Sequence, residues 1–164
     1  METIPEEFVE KTWQEAALLA PDRARKEMTR MSKDQPHLLA FLLESTDDLS
    51  PDAHELAVYL SFVVYQMFQG FNKKIRKISP DELMAAYKDT IDFFENLEGV
   101  HEKFIDRIVS IQVSTQPRVM KYVVEALMEE PEEGDSAVLT EEDKGSLFLI
   151  LKTVVEVLDQ NAYE

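Results

Sequence analysis

Proline is the residue that most narrows what this chain can fold into. Inside a helix it removes a hydrogen bond and clashes with the preceding turn, whereas in the first turn its missing N–H would be unpaired anyway. Six of the seven prolines, Pro5, Pro21, Pro36, Pro51, Pro80 and Pro117, stand at the head of stretches suited to helix. Each therefore reads as a helix start. Pro131 lies instead in a stretch of acids with Gly134 and reads as loop.

Local chemistry supports these boundaries. Ser50-Pro51-Asp52 and Ser79-Pro80-Asp81-Glu82 combine a serine cap, a proline at the first helical position and acids facing the positive end of the helix dipole. Thr3-Ile4-Pro5-Glu6 and Thr140-Glu141-Glu142-Asp143 carry similar cap signals, the first with capping-box spacing. The first helix is expected to reach about Leu19, with Phe8, Val9, Trp13, Ala16, Ala17 and Leu19 inward. The stretch after Pro51 is apolar nearly all round, including Tyr59, Phe62, Tyr65, Phe68 and Phe71, so other helices must surround it. Gly70 within it suits either a close helix crossing or an approaching helix end. The helix after Pro80 should stop near Gly99, and Val100, Phe104, Ile105 and Ile108 continue a helical pattern beyond it. The β-branched run at 108–115 fits a frayed helix or an extended segment equally.

No stretch alternates long enough to demand a strand, and four glycines leave few hairpin turns. The expected class is all-α: an irregular multi-helix bundle of about six to eight helices around a central apolar helix at 51–72. Spacings of 15, 15, 29 and 37 between the later prolines have no constant period, which argues against a regular solenoid. A chain of 164 residues fits one domain over 1–164, with an acidic loop at 129–139 before the last helix.

Composition then limits the chemistry. The absence of cysteine removes disulfides, thiol nucleophiles and thiolate metal sites. A net charge of −16 argues against direct nucleic-acid binding, which needs a cationic surface. The beginning Met-Glu-Thr-Ile-Pro-Glu-Glu lacks the basic and apolar character of a secretory signal, and no stretch approaches the about 20 apolar residues of a membrane span. The expectation is a cytoplasmic protein with no membrane contact and no cofactor.

The charge is uneven. Residues 71–80 hold Lys73, Lys74, Arg76 and Lys77 with no acid, residues 21–35 hold five bases against three acids, and residues 125–143 hold nine acids and no base. The acidic segment, with Glu129, Glu130, Glu132, Glu133 and Asp135, is a candidate dock for a basic partner, and the basic stretches are candidates for holding an anion. The plainer reading is that the bases complement the end of their helix while the acids are solvated.

Two patterns suggest metal chemistry. Glu98 and His101 have the Glu-x-x-His spacing of dinuclear centres in helical bundles, but the second pair is missing. Asp89, Asp92, Glu95, Glu98 and Glu102 form an acidic ladder that would suit a hard divalent cation clamping a phosphate. The functional expectation is a non-catalytic interaction module that binds a protein partner or itself. Phe148, Leu149, Val155 and Val157, beside the main stripe of the last helix, are candidates for covering a second copy. The alternative is a divalent-metal-dependent helical hydrolase using Asp92, Glu95, Glu98 and Glu102, with His101 a further candidate metal ligand.

Overall fold

The computed structural model describes residues 3–72, 74–95, 115–129 and 139–163. These residues form seven helices and one two-stranded ribbon: α1 (Glu6–Ala17), α2 (Pro21–Asp34), α3 (Pro36–Ser45), α4 (Pro51–Asn72), β1 (Lys74–Ile75), α5 (Pro80–Glu95), α6 (Pro117–Met128), α7 (Glu141–Asn161) and β2 (Ala162–Tyr163). The architecture is an all-α multi-helix bundle. Five helices begin on a proline, and Pro5 caps the sixth.

The caps explain where the helices start. Ser50 Oγ accepts from Ala53 N at 3.2 Å. Ser79 and Glu82 exchange bonds, with Glu82 N donating to Ser79 Oγ at 3.2 Å and Ser79 N to Glu82 Oε1 at 3.4 Å. Thr140 and Asp143 make the same reciprocal box. The expected Thr3 box does not form, because Pro5 occupies the cap position and no side chain bonds there. Ile4 is fully buried instead, and its N–H donates to Gln116 Oε1 at 2.9 Å, so the chain enters the helix two residues after the expected cap. The helix also ends at Ala17, leaving Leu18 85% exposed while Leu19 packs against the core.

Two long helices share the centre. α4 buries Leu60 to Tyr65 without a break, together with Ala53, Ala57, Met67 and Phe68. α7 lies against it and against α5 and α6, burying Leu147, Phe148, Ile150, Leu151 and nearly every position onward to Asn161. α1 crosses α4 and α6, while α2 and α3 close another side of α4. The expectation that Phe148, Val155 and Val157 face a second copy is corrected: all three are buried within this chain, where α7 packs between α4, α5 and α6. Leu149 is partly buried against the same core.

Buried polar side chains tie the bundle's connections together. Gln35 donates from Nε2 to Arg76 O at 2.9 Å and accepts at Oε1 from Ile78 N at 2.9 Å. Asp159 accepts from Thr115 Oγ1 at 2.8 Å and from Gln116 Nε2 at 2.7 Å. Asn161 donates to Val157 O and to Glu82 Oε2. Buried backbone and amide groups must find partners, and Gln35, Asp159 and Asn161 supply them at the joints between elements. His54 is half-buried, its Nδ1 paired with Thr46 Oγ1.

The small ribbon is antiparallel, with Lys74 opposite Tyr163 and Ile75 opposite Ala162. Two residues per strand are too few for any periodicity, which is why the sequence holds no strand signal. The acidic loop beyond Glu129, the expected stop at Gly99 and the undecided run up to residue 114 lie outside the described residues. No helix among the described residues is long and apolar enough to cross a membrane.

Candidate functional site

Large apolar side chains left at the surface of an otherwise well-buried bundle mark where something else can bind. α1 and α4 present such side chains beside a half-buried tyrosine of α6. Trp13 of α1 is 37% exposed and stacks on Tyr122 of α6, with ring centroids 6.3 Å apart and planes 22° apart. Tyr59 of α4, 40% exposed, lies near enough that its phenolate, once formed in alkali, would oppose ionisation of Tyr122. Burial raises the pKa of both phenols, and for Tyr122 the charges of Tyr59 and Glu129 add to that rise. Both rings are therefore neutral at pH 7, and the negative potential of this face comes from carboxylates.

Those carboxylates follow from helix geometry. Glu10 is three residues before Trp13, Glu125 three after Tyr122, and Glu55 four before Tyr59, spacings that put each acid next to its aromatic on one helical face. Glu129 caps the C-terminal end of α6. All four acids are exposed. The nearby cation Lys121 is held by Glu6, with Nζ donating to Oε1 at 2.9 Å. That pairing draws the Glu6 carboxyl below its usual range and raises the Lys121 pKa. The result is an exposed indole stacked on a half-buried tyrosine with acids around it, an arrangement that attracts cations through both ring quadrupole and charge.

The sequence candidates fall in other places. Lys74 and Arg76 flank Tyr163, with Nζ 5.9 Å and the guanidinium carbon 4.8 Å from the ring centroid. Lys77 is exposed beside them, and Lys73 lies outside the described residues. Gln35, at the end of the basic 21–35 stretch, bonds to the backbone of Arg76 and Ile78, so the two stretches adjoin at that point. Exposed acids of α5, Asp81 and Glu82, border them, and the Arg76 charge is among the influences lowering the Glu82 pKa.

Of the acidic loop candidates, Glu129 is exposed at the end of α6, while Glu130, Glu132, Glu133 and Asp135 lie outside the described residues. Asp89, Asp92 and Glu95 lie exposed on α5, and Glu98, His101 and Glu102 are outside. Among the described residues no three acidic or histidine side chains converge as metal ligands would.

Sequence reasoning assigned Trp13 to the core stripe and passed over Tyr122. The available signal was that Tyr122 stands off the inward stripe of Val119, Met120, Val123 and Val124, with an acid one turn away. Tyr59 departs from the other α4 aromatics in the same way: Phe62, Tyr65 and Phe68 are buried, whereas Tyr59 is half exposed.

No protein-family model matches the chain, and no solved structure matches it. Rat apolipoprotein B-100 is 23% identical over 118 residues, covering 70% of this chain and 2% of that protein. The chain thus spans a very small part of the relative it matches, and a similarity of that degree assigns no family.

Proposed function

We propose that this protein is a non-catalytic interaction module that docks a basic segment of another protein on the face formed by α1, α4 and α6. The observation that supports this reading is the exposed Trp13 stacked on the half-buried Tyr122, with Glu10, Glu125 and Glu129 around the pair. A lysine or arginine laid on such a stack gains about 0.5–2 kcal/mol from the ring faces, more as water is excluded. The surrounding acids speed encounter and select for positive charge. The overall charge of −16 favours the same class of partner and disfavours an acidic one.

The test is calorimetric titration of the full chain with a 12-residue peptide rich in lysine and arginine, alongside the same peptide with every base replaced by glutamate. Trp13→Ala and Tyr122→Ala should each weaken the basic peptide by about three- to thirtyfold. The unfolding midpoint of each variant shows whether the bundle remains folded. Binding should also weaken as salt rises, because exposed charges are screened. Equal binding of the acidic peptide, or unchanged binding by both folded variants, would remove the proposal.

A further inference from the structure

On another side of the bundle, α2, α3 and α4 border a surface cleft of about 440 Å³, open to solvent along the exposed edge of α2 and floored by the buried Met31 and Leu42. Its walls are Met28 and Met31 of α2, Leu39 and Leu42 of α3, and Val58 of α4. That volume and an apolar lining with few polar groups are typical of small-molecule sites. Methionine pairs add adaptability, since an unbranched thioether reshapes around different apolar guests.

The polar groups at the cleft are Arg25, Thr29 and Ser32, one turn apart along α2. Thr29 Oγ1 donates to Arg25 O at 2.9 Å and Ser32 Oγ donates to Thr29 O at 2.8 Å, so both hydroxyl protons are engaged by the helix itself. Arg25 differs. Among the described residues its guanidinium has no ion-pair partner, whereas the neighbouring Arg23 pairs with Glu27 at 3.8 Å. Arg25 also stands in one of the two locally basic stretches of a strongly acidic chain. The cleft therefore offers an apolar floor with a single unspent cation at its wall.

We infer that this cleft is a binding site for a small amphiphilic anion, a carboxylate on an unbranched apolar chain, with the chain among Met28, Met31, Leu39 and Leu42 and the carboxylate on Arg25. A guanidinium suits that head group because its fork of N–H donors matches the two oxygens. The inference is independent of the aromatic face, which lies on α1 and α6 as well as α4.

The test uses the full chain and sodium decanoate below its micelle concentration, followed by calorimetry, with decanol as the uncharged comparison. The expected result is one-to-one binding of decanoate, weakened about tenfold by Arg25→Gln and by replacement with decanol. Ala24→Phe, which fills the cleft from α2, should abolish it. Unfolding midpoints report on folding, and Arg25→Gln, an exposed change, keeps the test valid if Ala24→Phe does not fold. A separate arm offers phosphatidylcholine vesicles, which should not sediment the protein, since the site holds a free carboxylate rather than a bilayer. The inference fails if decanoate does not bind, if decanol binds equally, if Arg25→Gln has no effect, or if the vesicles carry the protein down.

Discussion

The ring of Phe8 lies directly against the backbone of Gly70: a β-carbon at that position would stand 3.0 Å from Phe8 Cζ and 3.4 Å from Cε1. Phe8 also meets Phe71 edge-on, with centroids 5.6 Å apart. This contact is how α1 crosses α4, and both meanings the sequence allowed for Gly70 apply: the glycine permits the crossing and stands in the last turn of α4, which ends at Asn72.

A substitution cycle at this contact should show the coupling. Alanine in place of a helical glycine gains about 1 kcal/mol of propensity, and here the approach of Phe8 opposes that gain. Gly70→Ala alone should therefore give no net stabilisation in urea unfolding. In a Phe8→Leu background the same change should recover most of the gain, a coupling of about 0.5–1 kcal/mol. Equal effects in both backgrounds would mean that the close approach does not constrain residue 70.

Gln35 should be among the most sensitive polar residues in the chain. It is buried and serves Arg76 O and Ile78 N at once. Gln35→Ala leaves both backbone groups without partners, and the expected loss is about 2–4 kcal/mol. Gln35→Met, similar in size and apolar, should not restore stability, because the orphaned groups remain. A methionine variant within about 0.5 kcal/mol of wild type in urea would contradict this role.

Two groups predict pH dependence of opposite direction. The Glu82 carboxyl lies below its ordinary 4.5, first through the Asn161 amide bond, then through Ser79 and the Arg76 charge. A depressed carboxylate contributes stability that is present above the unfolded value and is lost as pH falls through the folded one. The stability advantage of wild type over Glu82→Gln should thus shrink as pH drops below about 4.5. Burial, with the Asp34 charge adding to it, pushes the Tyr65 phenol up to about 12. Its contribution is complete below about pH 10 and is lost as pH rises from there through about 12. Tyr65→Phe should flatten that alkaline limb in chemical unfolding measured across the range. An unchanged slope would show that Tyr65 does not carry it.

Proline positions and apolar periodicity made most of the fold legible, because both act within one helix and need no knowledge of neighbours. Pro21, Pro36, Pro51, Pro80 and Pro117 each begin a helix as the residues imply. What depended on distant partners was not legible. Ile4 abandons a local cap for Gln116, which lies 112 residues away, and Gln35 looks like an ordinary surface residue until Arg76 arrives beside it. The ribbon of Lys74 and Ile75 with Ala162 and Tyr163 fails for the same reason. The aromatic face is a middle case: its acids and rings follow helical spacing, but only the crossing of α1 over α6 places Trp13 on Tyr122.

Trp13 is the single tryptophan of the chain, so its emission reports on the proposed docking face without labelling. The most direct measurement is a fluorescence titration with the basic peptide, repeated with the acidic peptide and with Tyr122→Ala. The account predicts a saturable change in Trp13 emission with the basic peptide only, strongly weakened in the variant. Binding of the basic peptide by calorimetry with no change in Trp13 emission would place the contact elsewhere and contradict the account.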